Sequence, residues 1–210
     1  AFLVLASLCF YLRNSIISYV LSLLAFALAL LAKEQAVVLP ILIVLLEMIS
    51  SSSAARPIFP RAARISGYFV VLIIYFLIRK ILLPEGAMPA IAFNYELLLR
   101  VLSIPRTVLM YLGAIFFPHD LHYYRSVDIL RPDGVSTGLF GVVFAAVVGI
   151  ILKVPRSHRR LLLLGAGWFG ITLLPVLNIV PLINEYSLIL TAEHFLYLPL
   201  IGVLLFVLGL

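Results

Sequence analysis

The sequence predicts an all-α polytopic membrane protein: a helical bundle of about seven spans plus one short re-entrant or interfacial helix. Two observations carry this. Hydrophobic residues fill 64% of the 210 positions and charged residues 11%, with a mean hydropathy of +1.22. A soluble domain is about 45–50% apolar and about 25% charged. The apolar residues also run continuously, without the inward–outward alternation of a lipid-facing barrel strand. Cys9, the single cysteine, lies inside such a run and excludes a disulfide framework. The net charge of +6 is accounted for by basic loops flanking spans, so the expected partner is the lipid bilayer and not nucleic acid.

A spanning helix needs about 20 apolar residues, with a range of about 17–25. Ala1–Leu12 reads as the tail of one span, closed by a turn at Arg13-Asn14-Ser15. Ile16–Ala32 is a charge-free second span, and Lys33-Glu34-Gln35 interrupts before a third, Ala36–Ile49, with Pro40 in its first turns. A serine-rich loop with Arg56, Arg61 and Arg64 precedes the fourth, Ile65–Leu83, where Arg79 and Lys80 are close enough to the end to snorkel towards headgroups. From Pro84 to Gly138 there is no clean span. Thr107–Phe117 has the length of a re-entrant or interfacial helix, and Arg131-Pro132-Asp133-Gly134 reads as a turn. Spans resume at Leu139–Val154, Leu161–Leu177 and Phe195–Leu210. The chain both starts and stops within an apolar helix. It is therefore expected to be a partial transmembrane domain, residues 1–210 of a longer protein, with external segments 84–138 and 178–194.

The Arg-rich loops 56–64 and 156–160 belong on the cytoplasmic side if the short helix does not cross. Lys33-Glu34, the segment 84–138 and the segment 178–194 then share the opposite side. They collect the chemically rich residues, so a site is expected to face the periplasm or the lumen, in the bacterial inner membrane or the endoplasmic reticulum.

Lys33 and Glu34 stand between two long apolar runs. Such a pair is either a helix end at the headgroup layer or a site, because intramembrane charge is costly and so tends to be functional. As a point charge, Lys33 suits a lipid-linked phosphate, with Glu34 holding it. Arg100 and Arg106, six positions apart with Pro105 between, offer a second cation for the phosphate or for headgroups. Glu193-His194 is either an interfacial pair opening the helix at Phe195 or part of the same site. His119 and Asp120, with His122 nearby, have side-chain types that bind a divalent metal, although Tyr123 and Tyr124 fit an interfacial aromatic belt equally well. Gly165-Ala166-Gly167 and Gly170 read as a close helix approach.

Some of these residues also carry a resemblance. Leu31-Ala32-Lys33-Glu34-Gln35-Ala36-Val37-Val38-Leu39-Pro40, Phe116-Phe117-Pro118-His119-Asp120-Leu121, Leu173-Leu174-Pro175-Val176-Leu177-Asn178 and Ala192-Glu193-His194-Phe195-Leu196-Tyr197-Leu198-Pro199 resemble, in order, motifs of the TMTC-like membrane proteins. These proteins carry tetratricopeptide repeats and belong to the GT-C glycosyltransferase superfamily. His194 departs from the arginine more usual there. The resemblance implies a GT-C-like enzyme, mannosyltransferase-like, that moves a sugar from a polyprenyl-phosphate donor to a protein acceptor on the non-cytoplasmic side. It implies a carboxylate base upstream of Ala1 and cations or a divalent metal to stabilise the departing phosphate. The residues expected there are Lys33 and one of Arg100 and Arg106 for the phosphate, with Glu34 and Glu193 as organisers and His194 beside them. Two rival readings stand beside it. One is a non-catalytic scaffold or accessory subunit of a larger membrane complex, and the other is a transporter.

Overall fold

A computed structural model describes residues 1–13, 15–49, 60–82, 95–118, 125–126, 133–177, 179, 189–191 and 193–210. The fold is helical: α1 (Phe2–Tyr11), α2 (Ile16–Ala32), α3 (Leu39–Ile49), α4 (Arg61–Leu82), α5 (Tyr95–Leu102), α6 (Ile104–Phe116), α7 (Gly134–Lys153), α8 (Arg156–Leu173) and α9 (Tyr197–Leu208). The one β feature among the described residues is a short antiparallel ribbon. In it β1 (Arg125–Ser126) pairs with β2 (Ile189–Thr191), with Arg125 opposite Thr191. Among the described residues, three helical stretches are long and apolar enough to cross a membrane: Arg61–Leu82, Gly134–Lys153 and Arg156–Val176. At 1.5 Å per residue α4 reaches about 33 Å and α7 about 30 Å, the thickness of a hydrocarbon core. Ile151 alone is buried along α7, and Val142, Phe144 and Leu152 project outward. Such surface is tolerable in lipid and a liability in water. Of the other segments expected to span, α2 keeps its 17 residues, while α3 is shortened to 11 and α9 to 12.

Several boundaries differ from the sequence expectation for local reasons. α7 begins at Gly134 and not at Leu139, because Asp133 caps it: its Oδ1 accepts from the Val135 N–H at 3.0 Å and its Oδ2 from Ser136 Oγ. α8 begins at Arg156 and not at Leu161. Its Arg159 reaches back to the end of α7, where Nε donates to the Ile151 carbonyl at 2.9 Å and Nη2 to the Leu152 carbonyl at 2.7 Å. These are the carbonyls that a helix C-terminus leaves open. The region before the short helix holds an additional helix, α5, and Pro105 starts α6 where its missing N–H has no intrahelical role.

The chain divides into two compact units, Ala1–Glu85 and Gly86–Leu210. In the first, α1 and α2 form an antiparallel hairpin, and α4 runs parallel to α2. Tyr68 is fully buried between them, edge-on to Tyr11 and tilted against Phe26. Its hydroxyl shares a hydrogen bond with Ser22 Oγ, while Ser7 Oγ donates to the Ser22 carbonyl at 2.8 Å. Small hydroxyl residues at this crossing allow close approach and leave no buried polar atom of the trio unmatched. At the basic end, Glu47 of α3 takes Arg64 at 3.1 Å, Arg61 at 3.2 Å and the Tyr11 hydroxyl at 2.6 Å. Arg64 also lies 4.2 Å over the Tyr11 ring.

In the second unit α8 and α9 form the main contact, with the Trp168 indole donating to the Leu198 carbonyl at 2.9 Å. Tyr111, Leu173, Val176 and Leu177 form its core. Ile104 and Val108 of α6 close over it together with Phe195 and Leu196.

Candidate functional site

The break between α2 and α3 is built by Lys33. Its backbone is extended (φ −160°, ψ 127°), and its N–H still closes the last turn of α2 on the Ala29 carbonyl at 2.9 Å. Glu34–Val38 then winds as a 3-10 helix, and the Ala36 N–H turns back to the Lys33 carbonyl at 3.1 Å. This single extended residue takes Lys33, Glu34 and Gln35 out of line with both helices. α3 follows from Leu39, and Pro40 in its first turn gives up an N–H that a helix start leaves unpaired anyway.

Glu34 does not stand alone there. Arg79, in the last turn of α4, donates from Nη1 to Glu34 Oε1 and also to the Tyr75 hydroxyl at 3.1 Å. The two charged side chains are 13% and 23% exposed, respectively. At that burial a guanidinium–carboxylate pair is screened less than at a surface. The register explains why they meet. Tyr19 and Arg64 are bonded at the opposite end of the same two parallel helices, the Tyr19 hydroxyl donating to the Arg64 carbonyl at 3.0 Å. Both pairs are separated by 45 residues. The equal separation brings Glu34, just past the end of α2, level with Arg79 on α4.

Lys33 is exposed, but nearby apolar side chains displace enough water to lower its ammonium pKa from the ordinary lysine value. Gln35 adds a polar atom of a different kind: its Nε2 is buried without a hydrogen-bond partner. The corner thus offers one accessible cation, one guanidinium fixed by a carboxylate, and an amide donor. That set can neutralise and orient a phosphate. Glu34, whose carboxylate is occupied by Arg79, can organise the corner but is poorly arranged to accept a proton from a substrate.

The remaining expected site residues belong to the second unit. Arg100, on α5, is buried at 6% exposure, and its carbonyl accepts from Ser103 Oγ at 2.7 Å. Arg106, in the first turn of α6, is close enough for its charge to help hold the Asp133 carboxyl below the ordinary range. Glu193 and His194 form a 3-10 turn leading to α9, where the His194 ring lies 4.3 Å from that of Phe195. Ile104, Val108 and Phe195 close over one core, so the turn holding His194 and the start of α6 border the same apolar cluster. His119 and Asp120 lie outside the described residues. Among the described residues no three His, Cys, Asp or Glu side chains converge as metal ligands.

Arg79 and Tyr75 are the members that the sequence reading missed, since Arg79 was assigned to headgroups. The signal was available in the equal spacing of charged and tyrosyl positions along two neighbouring spans. Comparison with family models, curated proteins and solved structures gives no match to this chain.

Proposed function

We propose that the chain is part of the membrane core of a GT-C-type glycosyltransferase, taking a sugar from a polyprenyl-phosphate donor and placing it on a protein hydroxyl at the non-cytoplasmic face. The observation that carries this reading is the corner at which Arg79 is fixed by Glu34 beside Lys33, at the end of a helix long enough to cross a membrane. Departure of a lipid phosphate builds negative charge that preset cations stabilise. Lys33 supplies a point charge, and Arg79, held by Glu34 and Tyr75, supplies a directional one. Glu34 is engaged by Arg79, so no general base is assigned among the described residues. The motif resemblance around Lys33 and Glu193 supports the same assignment, and about seven spans would complete the fold.

One observation favours a second reading, a non-catalytic scaffold or accessory subunit. Each acidic side chain described is already engaged: Glu34 by Arg79, Glu47 by Arg61 and Arg64, and Asp133 by the cap of α7. The experiment that separates the two uses full-length protein in proteoliposomes with labelled polyprenyl-phosphate sugar and acceptor peptides. Transfer that requires Lys33 supports the enzyme; no transfer by the wild type supports the scaffold.

A further inference from the structure

The turn between α7 and α8 carries a feature that the proposed transfer reaction does not use. A recess of about 560 Å³, within the roughly 300–1,000 Å³ usual for small-ligand sites, is lined by Arg156, Ser157, Arg159, Arg160 and Leu163. Three guanidinium groups therefore share one concavity. Like charges so placed repel one another, and among the described residues no carboxylate forms an ion pair with them.

The three arginines are not equivalent. Arg159 is anchored on the α7 carbonyls of Ile151 and Leu152, which leaves its Nη1 outside those bonds. Arg156 and Arg160 are exposed and form no ion pair among the described residues. Pro155, at the N-cap of α8, supplies no side-chain cap, so the first N–H groups of that helix also face the turn. The recess thus combines one ordered and two adaptable guanidinium groups with an exposed apolar wall at Leu163. Both helices that meet here are long and apolar enough to cross a membrane, and a turn that joins two such spans belongs at headgroup depth.

We propose that this recess binds the phosphate of an anionic glycerophospholipid from the leaflet in which the turn lies. The lipid source follows from position: phosphodiesters crowd that layer, and Leu163 borders the recess where the glycerol and upper acyl carbons of a lipid would lie. Arginine suits the ligand because its planar fork meets two phosphate oxygens together. Occupation would relieve the repulsion at the turn, with the lipid phosphate bridging Arg156 and Arg160 on the first turns of α8.

The test is native mass spectrometry of the chain released from nanodiscs containing equal phosphatidylglycerol and phosphatidylcholine, repeated for the double variant R156Q/R160Q. Arg159 is kept, since it caps α7. A thermal-unfolding scan of the same samples in lipid-free detergent checks that the variant is folded. The expected result is preferential retention of phosphatidylglycerol by the wild type. Selectivity should drop roughly 25-fold in the variant, from about fivefold per arginine at a headgroup, with an unfolding midpoint in detergent no lower than that of the wild type. Undiminished phosphatidylglycerol selectivity in R156Q/R160Q overturns the proposal. So does displacement of the lipid by millimolar inorganic phosphate, which would make the recess a free-phosphate site. Neither result bears on Lys33.

Discussion

Gly165 and Gly202 face each other backbone to backbone: a Cβ on Gly165 would lie 2.6 Å from the Gly202 carbonyl oxygen, and one on Gly202 would lie 2.7 Å from the Gly165 carbonyl oxygen. The reciprocity means that α8 and α9 cross at their closest point through these two residues. The obstruction is main chain, which cannot swing aside as a side chain can. Gly165→Ala should therefore push the helices apart and cost about 1–3 kcal/mol, the ordinary range for overpacking a close contact. Gly170→Ala should be near neutral, since nothing lies within 4 Å of its Cβ position. Thermal unfolding in a fixed detergent or nanodisc compares the two. Equal melting temperatures for the two variants would contradict the crossing.

Glu47 predicts an ordered series at the other unit's basic end. Arg61 is 54% exposed and Arg64 18% in their side chains. An exposed ion pair contributes about 0–1 kcal/mol, so Arg61→Ala should hardly change stability. Arg64→Ala removes the better-buried ion pair and the guanidinium over Tyr11, and should cost about 1–3 kcal/mol. Glu47→Ala should cost at least as much, because it leaves both arginines and the Tyr11 hydroxyl without their acceptor. Chemical denaturation of the three variants checks the order.

Asp133 makes the start of α7 sensitive to acid. Hydrogen bonds from Ser136 and from the Val135 N–H hold its carboxyl below the ordinary value. For a carboxyl with a depressed folded pKa, the stabilisation is present above the unfolded value and is lost as pH falls through the folded one. The first turn of α7 should therefore fray below about pH 4. Amide exchange at Val135 and Ser136 should rise there in the wild type. Asp133→Asn caps without titrating and should show no such step.

Much of the helix plan is legible in residue order, because apolar runs and their punctuation decide it locally. Ile16–Ala32 matches α2 at both ends, and Lys33-Glu34-Gln35 marks the break before α3. The starts of α7 and α8 are less legible. Asp133 and Arg159 extend these helices into polar sequence by satisfying open backbone groups, which hydropathy does not register. α5 was missed because its apolar positions are too few to read as a span, while its chain is long enough to turn as a helix. The candidate corner was half legible. Lys33 and Glu34 stand out as charges between apolar runs, but Arg79 joins them only through the register of α2 against α4. That register is set by the Tyr68–Ser22 contact and by the Tyr19–Arg64 bond. A pairing across 45 residues is a tertiary fact with no marker at either position alone.

The central claim is that the Lys33–Glu34–Arg79 corner receives a lipid-linked phosphate. The most direct measurement is the dissociation constant of a fluorescent polyprenyl phosphate in nanodiscs, for wild type, Lys33→Ala and Arg79→Ala, with the neutral polyprenol as control. A hydrogen bond to a charged group contributes about 1.5–3 kcal/mol, which corresponds to about ten- to a hundredfold in affinity. The account predicts a loss of that size for polyprenyl phosphate in Lys33→Ala, a comparable or larger loss in Arg79→Ala, and no change for the polyprenol. Wild-type affinity for polyprenyl phosphate retained by both variants would contradict it.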